Sequence, residues 1–206
     1  MISLLRDSEY QNFKSVDFSE KSLASHTFSD CSFENCTFIK SIWKNAKFNS
    51  CIFKNCNISL VDFNGCRLLD VLFVECKIVG AEFFKCDKSF LFSIDFKNSF
   101  LQYCNFSNLN LKKTVFKACK INECNFVNTC LIESDFTNSD LQKTVFHNCD
   151  LSKANFCGAT NYVINPQVNK IKNAQFSFPE VMGLLKEFEI KIEDLNNIEG
   201  LNNICE

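Results

Sequence analysis

The sequence predicts a repeat solenoid, a rod of stacked coils with four five-residue units in each coil. Three observations carry that expectation. A large apolar residue returns at every fifth position, the residue two places before it is nearly always small, and in the second half of the chain the large residues alternate strictly between Phe and Leu or Ile. A period of five fits neither an α-helix at 3.6 nor a strand at 2. It calls for units that bury their apolar side chains only by stacking on their neighbours.

The N-terminal residues 1–10 come first and are expected to cap the rod. The opening coil looks ragged, because Gln11, Lys21 and His26 fill the small position poorly. The repeat then runs from residue 11 to about 158. Its first frame has centres at Phe13, Phe18, Leu23, Phe28, Phe33, Phe38, Trp43, Phe48, Phe53, Ile58, Phe63, Leu68, Phe73, Ile78 and Phe83. Its second frame resumes at Leu91 and continues through Phe96, Leu101, Phe106, Leu111, Phe116, Ile121, Phe126, Leu131, Phe136, Leu141, Phe146 and Leu151 to Phe156. Because Phe and Leu/Ile alternate, the coil must hold an even number of units. Two per coil leave no room for a core and six would mix the columns, so four is expected. Four places Phe96, Phe116, Phe136 and Phe156 in one column and Phe106, Phe126 and Phe146 in a facing one. Phe33, Phe53 and Phe73 are core by the same reasoning. Asn108, Asn128 and Asn148 recur every 20 residues, which suggests an amide ladder along one edge.

The cysteines follow from the same frame. Of the 14 Cys, 11 lie two residues before a centre, among them Cys31, Cys36, Cys51, Cys56 and Cys76. Elsewhere that slot holds Ala, Val, Ser or Thr, so Cys is expected there as a small buried hydrophobe. Spacings such as Cys31/Cys36 come from the period, and with two His in the chain no metal site is expected.

The frame slips between Phe83 and Leu91, where eight residues stand in place of five. This stretch is expected to bulge, kink or loop. Around it outward positions become aromatic: Phe84, Phe90, Phe92, Phe100 and Tyr103. Such a cluster either shields the break or contacts a partner. With Asp87, Lys88 and the stacked acids Asp62 and Glu82 it makes up the candidate partner-contact set.

After Gly158 the tail, 159–206, begins with an extended segment. Pro179 then marks a helix start, capped by Ser177 or Phe178. Val181, Met182, Leu184, Leu185 and Phe188 share one apolar face of that helix and are candidates for capping the coil end or joining two copies. Ile190 and Ile192 suggest a short strand, and Asp194–Glu206 a polar tail.

The units Ser134-Asp135-Phe136, Ser139-Asp140-Leu141 and Ala154-Asn155-Phe156 resemble those of the pentapeptide-repeat family. That resemblance implies an all-β fold, a right-handed quadrilateral parallel β-helix of about seven coils. At ~4.8 Å per coil the rod would be ~35 Å long. The tail pieces Asn161-Tyr162-x-x-Asn165-Pro166 and Phe176-Ser177-x-Pro179-Glu180 resemble those of Qnr-type members. Those members bind DNA gyrase or topoisomerase IV, protect against quinolones through a DNA-like rod, and dimerise through their C-terminal ends. The resemblance therefore implies a topoisomerase partner and a homodimer, with a capped monomer as the alternative. Qnr-type loops leaving the coil matter for function, and here the single break is very short.

Composition restricts these implications. Residues 1–160 carry 17 acids and 18 bases, and Lys112, Lys113, Lys117 and Lys120 form a basic patch. Duplex DNA carries one charge per ~1.7 Å, so a rod of this length would need about 20 net negative charges to imitate it. Bulk mimicry of DNA is therefore not expected, and a contact would rely on shape or local acids. No Gly-rich phosphate loop or nucleophile with a His partner exists in the sequence, so a non-enzymatic protein without cofactor, metal or direct nucleic-acid binding is expected. No apolar run reaches the ~20 residues of a membrane helix and the first residues do not resemble a signal peptide, which suggests a cytoplasmic protein. A general interaction scaffold and a small-molecule groove remain alternatives to the topoisomerase reading.

Overall fold

The computed structural model describes residues 6–88, 91–188 and 190–191 of the 206. The chain winds as a parallel β-solenoid of about eight turns, with almost no helix. Successive strands on one face are 20 residues apart: Ser8 pairs with Phe28, Phe28 with Phe48, and Phe48 with Leu68. A second face carries Phe13, Phe33, Phe53, Phe73, Phe96 and Phe116 in register. A third holds Ile58, Ile78, Leu101 and Ile121. The fourth is stitched by single bridges such as Ile42 to Asp62 and by the pairing of Phe126 with Phe146. Four units per coil are thus observed. The centres are buried with few exceptions.

Aromatic stacking runs the length of the second face. Ring centroids of Phe33 and Phe53 are 4.6 Å apart, those of Phe116 and Phe136 4.8 Å, and those of Phe136 and Phe156 4.9 Å. Phe106, Phe126 and Phe146 form a second stack whose edges meet the first, with Phe116 and Phe126 at 5.6 Å and 88°. Offset stacks crossed by edge-to-face contacts are the arrangement the ring quadrupole favours.

The chain turns most corners through one residue with positive φ, two places after the centre. Tyr10, Asn35, Asn55, Asn128, Asn138 and Asn148 are examples, with φ between 52° and 59°. Among the described residues no Val, Ile or Thr occupies such a corner, since a β-branched side chain there would clash with its own backbone. At Gly65 even a Cβ would come within 2.2 Å of the Asn45 side-chain oxygen. The expected amide ladder is present in part: Asn128 donates to Asn108 at 3.4 Å, and Asn55 to Asn35 at 2.6 Å.

The slot two residues before each centre does more than save space. In tight corners the centre's carbonyl accepts from the N–H three residues on, as Phe38 does from Ser41 at 3.0 Å. In extended corners that bond is missing, and the slot side chain one coil higher donates instead. Cys51 Sγ donates to the Phe28 carbonyl at 3.4 Å, Cys56 Sγ to Phe33 at 3.3 Å, and Thr129 Oγ1 to Phe106 at 3.0 Å. Ser139 Oγ serves Phe116 in the same way. Buried carbonyls need a partner, so Cys acts here as a thiol donor as well as a small hydrophobe. All the described cysteines are free thiols.

The solenoid passes both expected boundaries. Residues 7–9, expected within a cap, are already a strand of the first coil, and Phe18, Leu23 and Phe28 are buried rather than frayed. At the other end Phe156 pairs with Phe176 and their rings stack at 5.2 Å. The repeat is disguised there because Asn169 fills the slot. Its amide donates to the Phe146 carbonyl at 3.0 Å and accepts from Cys149 N–H at 2.9 Å, doing the work of a thiol or hydroxyl.

The α-helix expected after Pro179 is absent. Glu180–Leu184 and Lys186–Phe188 form two short 3-10 turns. The Ser177 hydroxyl accepts from Gly158 N–H at 2.9 Å instead of capping a helix. Gly183 is buried against Tyr162, with so little room that a Cβ would meet its carbonyl at 2.4 Å, and Leu184 packs on the core. The turns therefore close over the last coil. Ile190 is exposed outside any strand, while Ile192 and Asp194–Glu206 lie outside the described residues.

Candidate protein-binding surface

The break is a coil lengthened by three residues. Below it partners are 20 apart, but Phe73 pairs with Phe96 and Ile78 with Leu101, 23 apart. Cys66 and Cys86 still follow the old spacing, since Asp87 N–H donates to the Cys66 carbonyl at 2.9 Å. The extra residues therefore enter after Asp87. Leu91, expected as a centre, is 79% exposed, and Phe92, expected outside, packs against the core. Phe92 follows Leu91 by one residue and so reaches the opposite side of an extended backbone.

The structure separates the sequence-predicted contact residues into two groups. Asp87 is tied down by an ion pair to Arg67 at 2.8 Å. Lys88 Nζ donates to the Asn108 carbonyl at 3.4 Å, and Phe84 lies half-buried with Lys85 Nζ 5.8 Å from its ring centre. With Phe92 these residues close the break. Phe90 lies outside the described residues. Phe100 is half-buried, paired between Lys77 and Lys120 on neighbouring coils.

Asp62, Glu82 and Tyr103 lie elsewhere, around the next corner. Asp62 and Glu82 line one shallow depression together with Leu60, Val61, Gly80 and Lys85. Asp62 accepts from Asn64 N–H at 3.0 Å, and Glu82 pairs with Lys85. Leu60 is 54% exposed with φ 58°, and Tyr103 is 55% exposed with φ 54°. The sequence reading passed over Leu60 and Gly80. The available signal was a leucine at a position filled mostly by Asn, Ser, Asp, Glu, Lys and Gly.

Some surface charges are matched across coils. Lys14 meets Glu34 at 3.0 Å, Lys113 meets Glu133 at 3.6 Å and Lys170 meets Asp150 at 3.7 Å, each pair 20 residues apart. At the C-terminal end Phe178, Leu185, Phe188 and Ile190 are exposed, while Val181, Met182 and Leu184 are half-buried. Among the described residues no group of three His, Cys, Asp or Glu is placed to hold a metal, and no helix is long and apolar enough to cross a membrane.

Family comparison agrees with this geometry. A pentapeptide repeat region is matched over residues 25–101, and pentapeptide repeats over 91–126 and 119–158. The chain belongs to the pentapeptide-repeat family. No curated protein matches this pentapeptide-repeat protein in sequence. Among solved structures it is similar to a trypsin-treated variant of QnrB1, a plasmid-mediated fluoroquinolone resistance protein. The identity is 20%, with 92% of this chain and 94% of that chain covered and a TM-score of 0.61. It also matches HetL, a pentapeptide repeat protein involved in heterocyst differentiation regulation from the cyanobacterium Nostoc sp. strain PCC 7120, at 14% identity, 81% and 84% coverage and a TM-score of 0.46. A pentapeptide repeat protein from the Arabidopsis thaliana thylakoid lumen matches at 15% identity, 67% and 70% coverage and a TM-score of 0.27. At these identities the likeness is one of fold.

Proposed function

We propose that this pentapeptide-repeat rod is a non-catalytic binding protein for a bacterial type II topoisomerase, DNA gyrase or topoisomerase IV, and protects it against quinolones. The observation that carries the reading is the match to QnrB1 over 92% of this chain and 94% of that chain. The tail pieces at Asn161–Pro166 and Phe176–Glu180 support it. Electrostatics restricts the mode of contact. Glu34, Asp87, Glu133 and Asp150 each have a cationic partner, so the rod meets its target through shape and a few local side chains. The chain works as a cytoplasmic homodimer joined through the exposed Leu185 and Phe188 at its C-terminal end. A sedimentation measurement giving a monomer at micromolar concentration would remove the dimer.

The decisive experiment is a supercoiling and cleavage assay. Purified protein is expected to inhibit gyrase supercoiling and to relieve quinolone-stabilised cleavage. Absence of both effects over a wide concentration range would overturn the reading. The second reading is a general protein scaffold, and the near-neutral charge of the rod favours it. Recovery of gyrase subunits on the immobilised rod would count against it.

A further inference from the structure

We propose that the corner formed by Leu60, Gly80 and Tyr103 is the anchor of the partner interface. Its occupant is a polypeptide surface that presents one aliphatic or aromatic side chain beside an arginine or lysine. The proposal rests on the topoisomerase reading for the identity of that polypeptide and goes beyond it in naming the site and its chemistry.

The three residues occupy the same corner on successive coils, because Ile58, Ile78 and Leu101, each two residues earlier, are paired in register. Two features that destabilise the free protein coincide there. Leu60 and Tyr103 adopt a left-handed backbone that disfavours bulky L-residues, and both expose more than half of their surface. Asn, which most often fills the other corners, would relieve both. Gly80 between them leaves a notch. A Cβ there would meet Leu60 Cδ2 at 3.0 Å, so Leu60 leans over the bare backbone. Ile39 and Ile42, on the preceding coil, extend the exposed apolar surface. Strain and exposed apolar area kept together on one edge mark an anchor held ready for a partner.

The charge beside the notch fixes the partner's character. Asp62 has no ion-pair partner among the described residues, and Glu82 shares the depression with it. Lys85 answers one of the two carboxylates. The lining of the depression itself, with Asp62, Glu82 and Lys85, is therefore net negative and complements a cation next to the inserted apolar side chain, while Lys40 stands at the same corner one coil lower.

The test separates anchoring from folding because the two roles move L60N in opposite directions. A structural role predicts a lower Tm for L60N. The proposal predicts a Tm raised by ~2 °C, from relief of backbone strain, together with gyrase binding weakened at least tenfold. Y103N is expected to weaken binding similarly, and D62N/E82Q to weaken it and flatten its salt dependence. Wild-type affinity for gyrase in both L60N and Y103N overturns the proposal while leaving the topoisomerase reading in place. If the wild-type protein does not bind gyrase, that reading fails, and a displayed library of 12-residue peptides decides the anchor separately. Enriched peptides that pair Leu, Met or Phe with Arg or Lys, and that L60N does not retain, support it. No enrichment, equal capture by L60N, or self-association lost in L60N overturns it.

Discussion

The two halves of the rod fill one cross-section in different ways. Below the break aromatic rings come from all four faces, and Phe28, Phe33, Phe38, Trp43, Phe48 and Phe53 form a continuous network. Above it Phe is confined to two faces, while Leu111, Leu131 and Leu151, with Leu101, Ile121 and Leu141, supply the others. The aromatic half leaves the Trp43 indole N–H buried without a partner. Backbone form differs as well. In the lower half the residue before the centre is often Thr27, Lys47, Ile52 or Arg67, and the face is a strand. In the upper half Asn105, Asn110, Asp135 and Asp150 stand there and accept from the N–H two residues on, tightening the unit into a turn. Asp62 makes the same bond in the lower half, while Asn57 and Asn125 stand in strands and Thr37 and Ile42 precede turns, so the residue before the centre biases the local form without fixing it.

The largest expected effect tests the upper core. Phe126 is buried with ring partners on four sides at 4.8 to 6.0 Å. Phe126→Asp places an unpaired carboxylate in that stack and is expected to remove more than ~4 kcal/mol of stability. Circular dichroism would show loss of the folded signal, and an unchanged Tm would refute the inward assignment.

Alkaline pH should act on both halves together. Burial pushes the Cys51 thiol in the lower half and the Cys119 thiol in the upper half up to about 12, from 9.0 when exposed. The folded chain holds these protons longer than the unfolded chain, so their stabilisation is complete below about pH 9. It is lost as pH rises from there toward 12. Tm is expected to stay level from pH 7 to 8.5 and to fall steeply by pH 10.5, with thiol-reactive dye labelling of Cys51 and Cys119 only after unfolding, whereas the half-buried Cys130 and Cys157 can label earlier. Fast labelling of Cys51 or Cys119 in the native protein at pH 8, read by peptide mapping, would contradict their burial.

Much of this architecture was legible from one sequence. Phe116, Phe136 and Phe156 stack as the five-residue count requires, and the cysteines fall into their slots. What escaped detection did so for physical reasons. Ser8 is a polar residue at a centre, so the first coil looked like a cap. Asn169 is larger than any residue expected in a slot, yet it satisfies the same carbonyl, so the last coil looked like a tail. Leu91 has the right chemistry in the right frame, but an insertion changes which side of the backbone faces inward. The proposed contact surface was the least legible part. Asp62 and Glu82 were expected as a stacked pair and Tyr103 apart from them, and the coil register brings all three around Leu60 and Gly80.

The slots offer the next test. Thr129→Val keeps shape and volume but leaves the Phe106 carbonyl without its 3.0 Å donor. A loss of about 1 to 3 kcal/mol is expected from the unsatisfied acceptor. Cys51→Ala in the lower half removes a weaker donor at 3.4 Å and should cost less. A Thr129→Val variant as stable as the wild type in urea titrations would mean that the slot matters only for its volume.

The smallest effect distinguishes the seam from the upper half. Phe73 has two ring neighbours, Phe53 at 5.1 Å and Phe96 at 5.2 Å, because the residues beside it have become aliphatic. Phe126 has four. Replacing either with Leu removes a similar amount of apolar surface, so the difference between the two variants isolates the ring contacts. Two extra edge-to-face contacts correspond to about 1 kcal/mol or slightly more. Phe126→Leu is therefore expected to melt a few degrees below Phe73→Leu. If Phe73→Leu melts lower, the lengthened coil above it depends on that ring for more than stacking, and the break would be the weakest point of the rod.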